Sequence, residues 1–214
     1  MLCSKAMLNV ARKMEERYGI PYFEGSFYGI GDMSDALRQI SHLLVRQGAP
    51  EELLARTEAL IAVEEARAWA RLAPYKERLK GKRVLLITGG VKSWSVVAAL
   101  QEVGMEIVGT SVKKSTKEDK ERVTEIMGTD AHMIDNMTPR EMYAMLSEAR
   151  ADIMLSGGRS QFVALKAKMP WLDINQERHH GYAGYEGIIT LVHEIDKTLS
   201  NPVWSQVRQA APWE

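Results

Sequence analysis

Cysteine is almost absent from this sequence of 214 residues, since Cys3 is the single one. One thiol excludes a disulfide within the chain, and it excludes an iron–sulfur or zinc site in which this chain alone supplies four thiolates. Low cysteine use is typical of a reducing compartment, so we expect a cytoplasmic protein. Alone, Cys3 has two interpretations, a buried small apolar residue or a ligand for a soft metal.

An excess of charge and a long apolar run are also missing. Lysine and arginine total 28, as do aspartate and glutamate, so the formal net charge is zero. A nucleic-acid-binding protein usually carries a basic excess, which argues against nucleic acid as a partner. No apolar run approaches the roughly 18 residues of a membrane span, and the N-terminus lacks the pattern of a signal peptide. We therefore expect no membrane partner.

The clearest structural pattern lies between residues 82 and 109. A short apolar run at 84–87 predicts a buried strand, residues 93–103 have helical apolar spacing, and residues 105–108 begin another strand. This βαβ unit crosses over right-handed onto a parallel sheet. Three further strands are predicted at 131–134, 152–155 and 171–174. The fold class we expect is α/β, a doubly wound parallel, Rossmann-like sheet preceded by helical segments.

Helices are predicted before this unit. Residues 3–18 have helical spacing, and Asp32 is the predicted N-cap of a helix that ends near Arg46. Residues 51–79 predict a long, partly exposed linker helix with a kink or break at Pro74. We expect two parts: residues 1–80, the helical remainder of a preceding domain plus the linker helix, and residues 81–214, the α/β domain with a C-terminal extension.

Two turns of similar composition follow predicted strands, TGGVKS at 88–93 and SGGRSQ at 156–161. Ligands of doubly wound sheets bind beyond the carboxyl ends of the strands, so both turns and the loop 175–185 are expected to converge on one anion-binding crevice. The candidate residues are Gly89, Gly90, Lys92, Gly157, Gly158 and Arg159. Neither turn has the spacing of a nucleotide motif, and tight βα turns without a ligand remain an alternative.

A metal site at His179 and His180 is a weaker hypothesis. Glu177 lies nearby, but adjacent side chains rarely face one metal ion in a helix or strand. Surface histidines are the simpler interpretation.

Five segments, in order, resemble the carboxy-terminal part of nitrogenase component 1 type subunits. They are CSKAMLNVARKMEERYGIPYFEGSFYG, KGKRVLLITGGVKSWSVV, LSGGRSQF, PWLDINQERHHGYAGYEG and NPVW. Within that family the resemblance is closest to scaffold subunits that mature the iron–molybdenum cofactor. The resemblance implies several α/β domains in subunits longer than this chain. The missing amino-terminal part would then carry the cysteines that ligate a cluster shared between two subunits.

The resemblance also implies roles for individual residues. Cys3 matches the cysteine that anchors one end of the cofactor in the catalytic α subunit, and Gly89 and Gly90 match the loop beside the cofactor. Lys92 stands where that subunit has an arginine. Arg159 stands where it has a lysine near homocitrate.

Asn175 stands where the catalytic α subunit has the histidine that ligates molybdenum. Asparagine is a poor ligand for that metal. The substitution therefore favours a scaffold that releases its cargo over an α chain of a nitrogenase molybdenum–iron protein or related oxidoreductase, which is the alternative. A small-ligand Rossmann-like domain is a third hypothesis that depends on the fold alone.

The implied function is to bind an iron–sulfur precursor of the cofactor while molybdenum and homocitrate are added, without catalysis by this chain on its own. The implied partner subunit is NifN, in a heterotetramer. NifB would donate the precursor, and the nitrogenase iron protein would take part in maturation. The apo molybdenum–iron protein would accept the product.

Overall fold

A computed structural model describes residues 4–88, 93–129, 132–175 and 179–210. Its strands are β1 Arg83–Ile87, β2 Glu106–Ser111, β3 Met133–Ile134, β4 Ile153–Ser156 and β5 Trp171–Asp173. Within the described residues, these strands form one parallel sheet in the order β3-β2-β1-β4-β5. The order places β1 at the centre, with β2 on one side and β4 on the other.

Helices connect the strands and precede them. They are α1 Ser4–Tyr18, α2 Ile30–Arg46, α3 Glu52–Leu79, α4 Ser93–Glu102, α5 Lys117–Met127, α6 Pro139–Glu148, α7 Gln161–Lys166, α8 Gly184–Leu199 and α9 Val203–Val207. A short 3-10 turn at Gly158–Ser160 lies between β4 and α7. In the described part of the chain, no helix is both long enough and apolar enough to cross a membrane.

Helices cover both faces of the sheet, which confirms the predicted doubly wound α/β fold. On β1, Val84 and Leu86 belong to an apolar cluster with residues of α4 and α8, whereas Leu85 belongs to a second cluster with residues of α6 and α7. The alternation follows from the two-residue period of a strand. Because both faces are buried, β1 and β4 are apolar at successive positions, as parallel strands usually are.

Helices α2 and α3 extend the first of these clusters. Ile30 of α2 belongs to it together with Ala68, Leu72 and Leu79 of α3. Helix α3 also packs against both α2 and α8. Residues on both sides of Gly81 therefore contribute to one core, and the division of the chain at that residue stays a prediction.

Helix α3 runs without interruption through Pro74, so the predicted alternative of a break is wrong. A proline inside a helix removes one backbone hydrogen bond and crowds the preceding turn. Here Leu72 and Leu79, on either side of Pro74, are buried in the core, and Pro74 itself is exposed. Tertiary packing therefore outweighs the local preference of proline.

The predicted N-cap of α2 is also wrong. Gly29, with φ 86°, occupies the cap position, and Asp32 lies within the first turn. The carboxylate of Glu102, at the end of α4, accepts hydrogen bonds from the backbone N–H groups of Ile30 at 2.7 Å and Gly31 at 2.8 Å. It thus satisfies two helix-terminal donors that have no partner within the helix, and it ties α4 to α2.

We expect Glu102→Ala to lower the free energy of unfolding by about 1–3 kcal/mol, since it removes two hydrogen bonds to a charged acceptor at a helix end. The measurement is equilibrium unfolding in urea. Glu106→Ala is the matched control, because it makes the same change of net charge at an exposed position. Equal effects of the two substitutions would contradict the role of Glu102.

Asp32 lies in a partly desolvated position beside a small cavity. Burial raises its pKa from 3.8 to about 6, and the nearby charges of Glu102 and Asp35 add to the increase, while the Ser26 hydroxyl opposes it. Its Oδ2 atom is buried, and no hydrogen-bond partner for it lies among the described residues. The folded state therefore favours the protonated carboxyl more than the unfolded state does.

Because its pKa is raised on folding, Asp32 stabilises the fold below about pH 4, and this contribution is lost as the pH rises through 6. We expect Asp32→Asn to remove that pH dependence and to raise the free energy of unfolding at pH 7 by about 1–2 kcal/mol, after allowance for solvent screening. Urea unfolding at pH 4, 5, 6 and 7 measures the effect. If the free energy of unfolding of Asp32→Asn falls between pH 4 and 6 as steeply as that of the unmodified protein, Asp32 is not the cause of the pH dependence.

Candidate functional site

An open cleft of about 740 Å³ lies at the carboxyl ends of the strands. Its described lining comes from the segments that follow β1, β2, β4 and β5, and consists of Ile87, Thr88, Lys113, Lys114, Gly157, Gly158, Arg159, Ser160 and Asn175. The strand order explains this arrangement, because segments after β2 and β4 must flank the end of the central strand. Ligands of doubly wound sheets bind at this edge, so the cleft is the candidate functional site.

The wall beyond β4 is a tight turn of small residues. The Ser156 side chain is fully buried, and its Oγ accepts a hydrogen bond from Trp171 Nε1 at 2.7 Å. After Gly157, the Ser160 N–H donates to the carbonyl of Gly157 at 3.1 Å and closes the 3-10 turn. Arg159 lies within this turn, lines the cleft and is exposed to solvent. The buried end of β4 thus supports a solvated guanidinium.

Asn175 and the β4 turn approach each other closely. The Ile174 N–H donates to the carbonyl of Ser156 at 3.0 Å, and the Asn175 N–H donates to Asp173 Oδ1 at 2.9 Å. A Cβ atom at Gly157 would lie 2.6 Å from Asn175 Nδ2, closer than side chains normally approach. Glycine at this position therefore allows the amide side chain to lie directly against the turn.

Two lysines that sequence reasoning missed form the opposite wall. Lys113 and Lys114 follow β2 and line the cleft. The signal was present in the sequence, because two successive cations directly follow a strand that reaches the ligand-binding edge. The prediction gave only the beginning of β2, at residues 105–108, whereas the strand continues to Ser111, two residues before Lys113.

The predicted site residues divide into two groups. Gly157, Gly158, Arg159 and Asn175 line one cleft, as the convergence of their loops predicts, although their role in binding stays a prediction. The others, Cys3, Gly89, Gly90 and Lys92, lie outside the described residues. Thr88, which precedes the first glycine pair, lines the cleft at the end of β1.

The described residues offer little support for a metal site made by histidines. His179 and His180 are both exposed, and the His180 ring stacks near Tyr182 at 6.4 Å between ring centroids. Within the described ranges, no three His, Cys, Asp or Glu side chains are grouped so that they could hold a metal ion. Glu177 lies outside those ranges.

The chemistry of the described lining favours the binding of an anion. It supplies two ammonium groups, one guanidinium, one side-chain amide and the backbone of a glycine pair. A guanidinium presents forked donors to oxygen or sulfur anions, and ammonium groups add compact positive charge. The part of the lining that the structure describes contains neither histidine nor cysteine.

Solved structures of other proteins have the same fold as this chain. A chain described as "Nitrogenase Cp1 at pH 5" aligns with a TM-score of 0.80 and 24% sequence identity, covering 99% of this chain and 48% of that one. A second, "Nitrogenase Cp1 at pH 6.5", aligns with a TM-score of 0.80 and 22% identity, covering 99% of this chain and 50% of that one. At these identities the likeness shows the fold.

Curated relatives match the whole chain at higher identity. Proteins named "Nitrogenase iron-molybdenum cofactor biosynthesis protein NifE" are 72% identical in Bradyrhizobium diazoefficiens and 67% identical in Sinorhizobium fredii, each over all 214 residues. The protein of that name in Klebsiella pneumoniae is 51% identical over 213 residues. The chain covers 39%, 43% and 46% of these three relatives, so it spans less than half of their length.

A family model described as nitrogenase component 1 type oxidoreductase matches residues 1–200. This match covers more than half of the chain and includes the sheet, the helices on both faces and the cleft. The chain therefore belongs to the nitrogenase component 1 type oxidoreductase family.

Proposed function

We propose that this chain is part of a scaffold on which the iron–molybdenum cofactor of nitrogenase is assembled. The relatives that match over its whole length carry the name of a cofactor biosynthesis protein, which supports the proposal. The cargo, which is a substrate here, is an iron–sulfur precursor of the cofactor, to which molybdenum and homocitrate are added. Such a cargo is anionic, and the cationic cleft at the carboxyl edge of the sheet suits it.

The observation that carries the proposal is Asn175 at the end of β5. It lines the cleft, and by the family resemblance it stands where a catalytic α subunit has an imidazole ligand for molybdenum. A carboxamide binds transition metals more weakly than imidazole does. The site therefore holds its cargo mainly by electrostatic attraction at this end and is able to release it. A catalytic α chain must retain its cofactor, so Asn175 argues against that second interpretation.

The strong contact in this proposal is Cys3. Thiolate is a soft ligand that suits the iron of a sulfide cluster. Gly89 and Gly90 would allow the backbone to approach the cargo, and Lys92 would add charge beside Arg159. These assignments depend on the family resemblance, and they give the cargo one covalent anchor and a cationic rim.

The proposal extends to the proteins that act with the scaffold. NifN is the partner subunit in a heterotetramer, and a cluster shared between the two subunits is ligated outside this chain. NifB supplies the precursor, the nitrogenase iron protein takes part in the insertion of molybdenum and homocitrate, and the apo molybdenum–iron protein accepts the product.

We expect Cys3→Ala to remove the precursor from the full-length complex and to leave the shared cluster in place, because the ligands of that cluster lie elsewhere. Iron and sulfide analysis with electron paramagnetic resonance measures both clusters in one preparation. Ser4→Ala is the matched control, since it changes the neighbouring residue and keeps the thiol. Retention of the precursor signal by Cys3→Ala would remove the proposed anchor.

We expect Asn175→His to slow the transfer of the cluster to the apo acceptor by about tenfold or more, because an imidazole would add a second strong ligand, and a gain of about 1.4 kcal/mol is tenfold. The measurement is the rate at which a loaded complex activates the acceptor. Asn9→His, at an exposed position of α1, is the control for an added imidazole. An unchanged rate for Asn175→His would argue against release controlled at this end of the cleft.

A further inference from the structure

The Lys113–Lys114 pair is presented by a rigid turn. The Ser115 N–H donates to the carbonyl of Val112 at 3.0 Å and closes the turn around both lysines. On one side, Val112 is 1% exposed and donates to the carbonyl of Ile134 at 2.8 Å. On the other side, Thr116 caps α5. The backbone under the two ammonium groups is therefore fixed at both ends.

The N-cap of α5, which directly follows this turn, is a capping box in which Thr116 and Asp119 donate hydrogen bonds to each other. The Asp119 N–H donates to Thr116 Oγ1 at 3.1 Å, and the Thr116 N–H donates to Asp119 Oδ2 at 2.9 Å. Such capping boxes satisfy two orphan donors at once. Asp119 is 3% exposed, so its carboxylate serves the cap and does not extend into the cleft.

The carboxylates near the lysines already have partners. Asp135 and Glu141 line an adjoining cavity of about 560 Å³ that Lys113 also lines. Asp135 Oδ1 accepts from Lys120 Nζ at 2.8 Å, and Glu141 Oε2 accepts from the Thr138 N–H at 2.7 Å.

Across the cleft, Asp173 Oδ1 accepts from the Asn175 N–H. Within the described residues, Lys113 and Lys114 have no carboxylate partner, and neither does Arg159. The cleft therefore contains cations on two walls that form no ion pair with a described carboxylate.

We propose that Lys113 and Lys114 form an anion-binding arm that holds a multiply charged oxyanion in the cleft. The inference rests on the proposed function and assigns two residues to the oxyanions that are added to the precursor. Ammonium groups are compact, strongly hydrated charges that pair with hard oxygen anions, whereas thiolate and backbone donors suit a sulfide cluster better. Because β1 separates the lysine turn from Arg159, an anion with several charged groups is able to bridge the two walls.

Under the proposed function, two components would supply such an anion: homocitrate, which is a tricarboxylate, and molybdenum in the form of an oxyanion. Both present several negatively charged oxygen atoms, so the same arm recognises both. The lysines would then hold the added component while Cys3 holds the iron–sulfur part.

The test uses the full-length protein in its purified complex and the double variant Lys113→Gln with Lys114→Gln. Equilibrium binding of radiolabelled citrate and, separately, of molybdate is measured at low and at physiological salt. We expect citrate binding to weaken by about tenfold for each lysine, since a hydrogen bond to a charged group contributes about that much. We also expect salt to weaken binding to the unmodified complex more than to the variant.

Two control variants distinguish a specific effect of Lys113 and Lys114 from an effect of net charge, and thermal melting excludes an effect of unfolding. Lys117→Gln with Lys197→Gln makes the same change of net charge at exposed positions outside the cleft and is expected to bind citrate normally. Lys113→Arg with Lys114→Arg keeps both charges and is expected to retain binding. Equal thermal melting of all three double variants shows that the fold is intact.

Each outcome decides the role of the lysines. A loss of citrate binding assigns the arm to a tricarboxylate, and a loss confined to molybdate assigns it to the metal oxyanion. Unchanged binding of both anions by the glutamine variant overturns the proposal, as does an equal loss in the Lys117 and Lys197 control. The paramagnetic resonance signal of the precursor in the unmodified complex tests the proposed function separately, because a complex that carries only the shared cluster would fail that proposal while oxyanion binding still reports on the lysines.

Discussion

The parallel pairing of β1 with β2 on one side and β4 on the other is the constraint on which the site depends. Val84, Leu85 and Leu86 are completely buried, so β1 cannot shift by one residue without moving its side chains between two different clusters. This register fixes where β2 and β4 end. The lysine turn and the β4 turn are consequently held on opposite sides of the central strand, and the cleft between them follows from the packing of the core.

Charge gives this cleft its chemical character. The chain has no net charge, yet the described carboxylates near the cleft accept hydrogen bonds from Lys120, Thr138 and Asn175. Within the described ranges, Lys113, Lys114 and Arg159 form no ion pair with a carboxylate. A low-dielectric wall on one side strengthens the attraction of such cations for an anion. Under the proposed function, such attraction would let a scaffold hold an anionic cargo and release it, whereas a permanent cofactor site must retain its cofactor.

The sequence predicted those features whose causes are local. Apolar runs, helical spacing and glycine-pair turns gave the alternation of strands and helices and brought Gly157, Arg159 and Asn175 to one edge. Features with distant causes were missed. Glu102 caps α2 from 72 residues away, so Asp32 was a reasonable but wrong N-cap. Lys113 and Lys114 were missed because the end of β2 was not predicted, and that end depends on the pairing of Thr110 and Ser111 with β3.

The anionic iron–sulfur cargo of the proposed function would lie in the cleft between the lysine turn and the β4 turn. Anomalous diffraction at the iron edge, from crystals of the full-length complex loaded with precursor, tests this most directly. The account predicts an iron cluster at the carboxyl edge of the sheet, with Arg159 on one side and Lys113 and Lys114 on the other. Iron found only at the shared cluster, or at the opposite edge of the sheet, would contradict it.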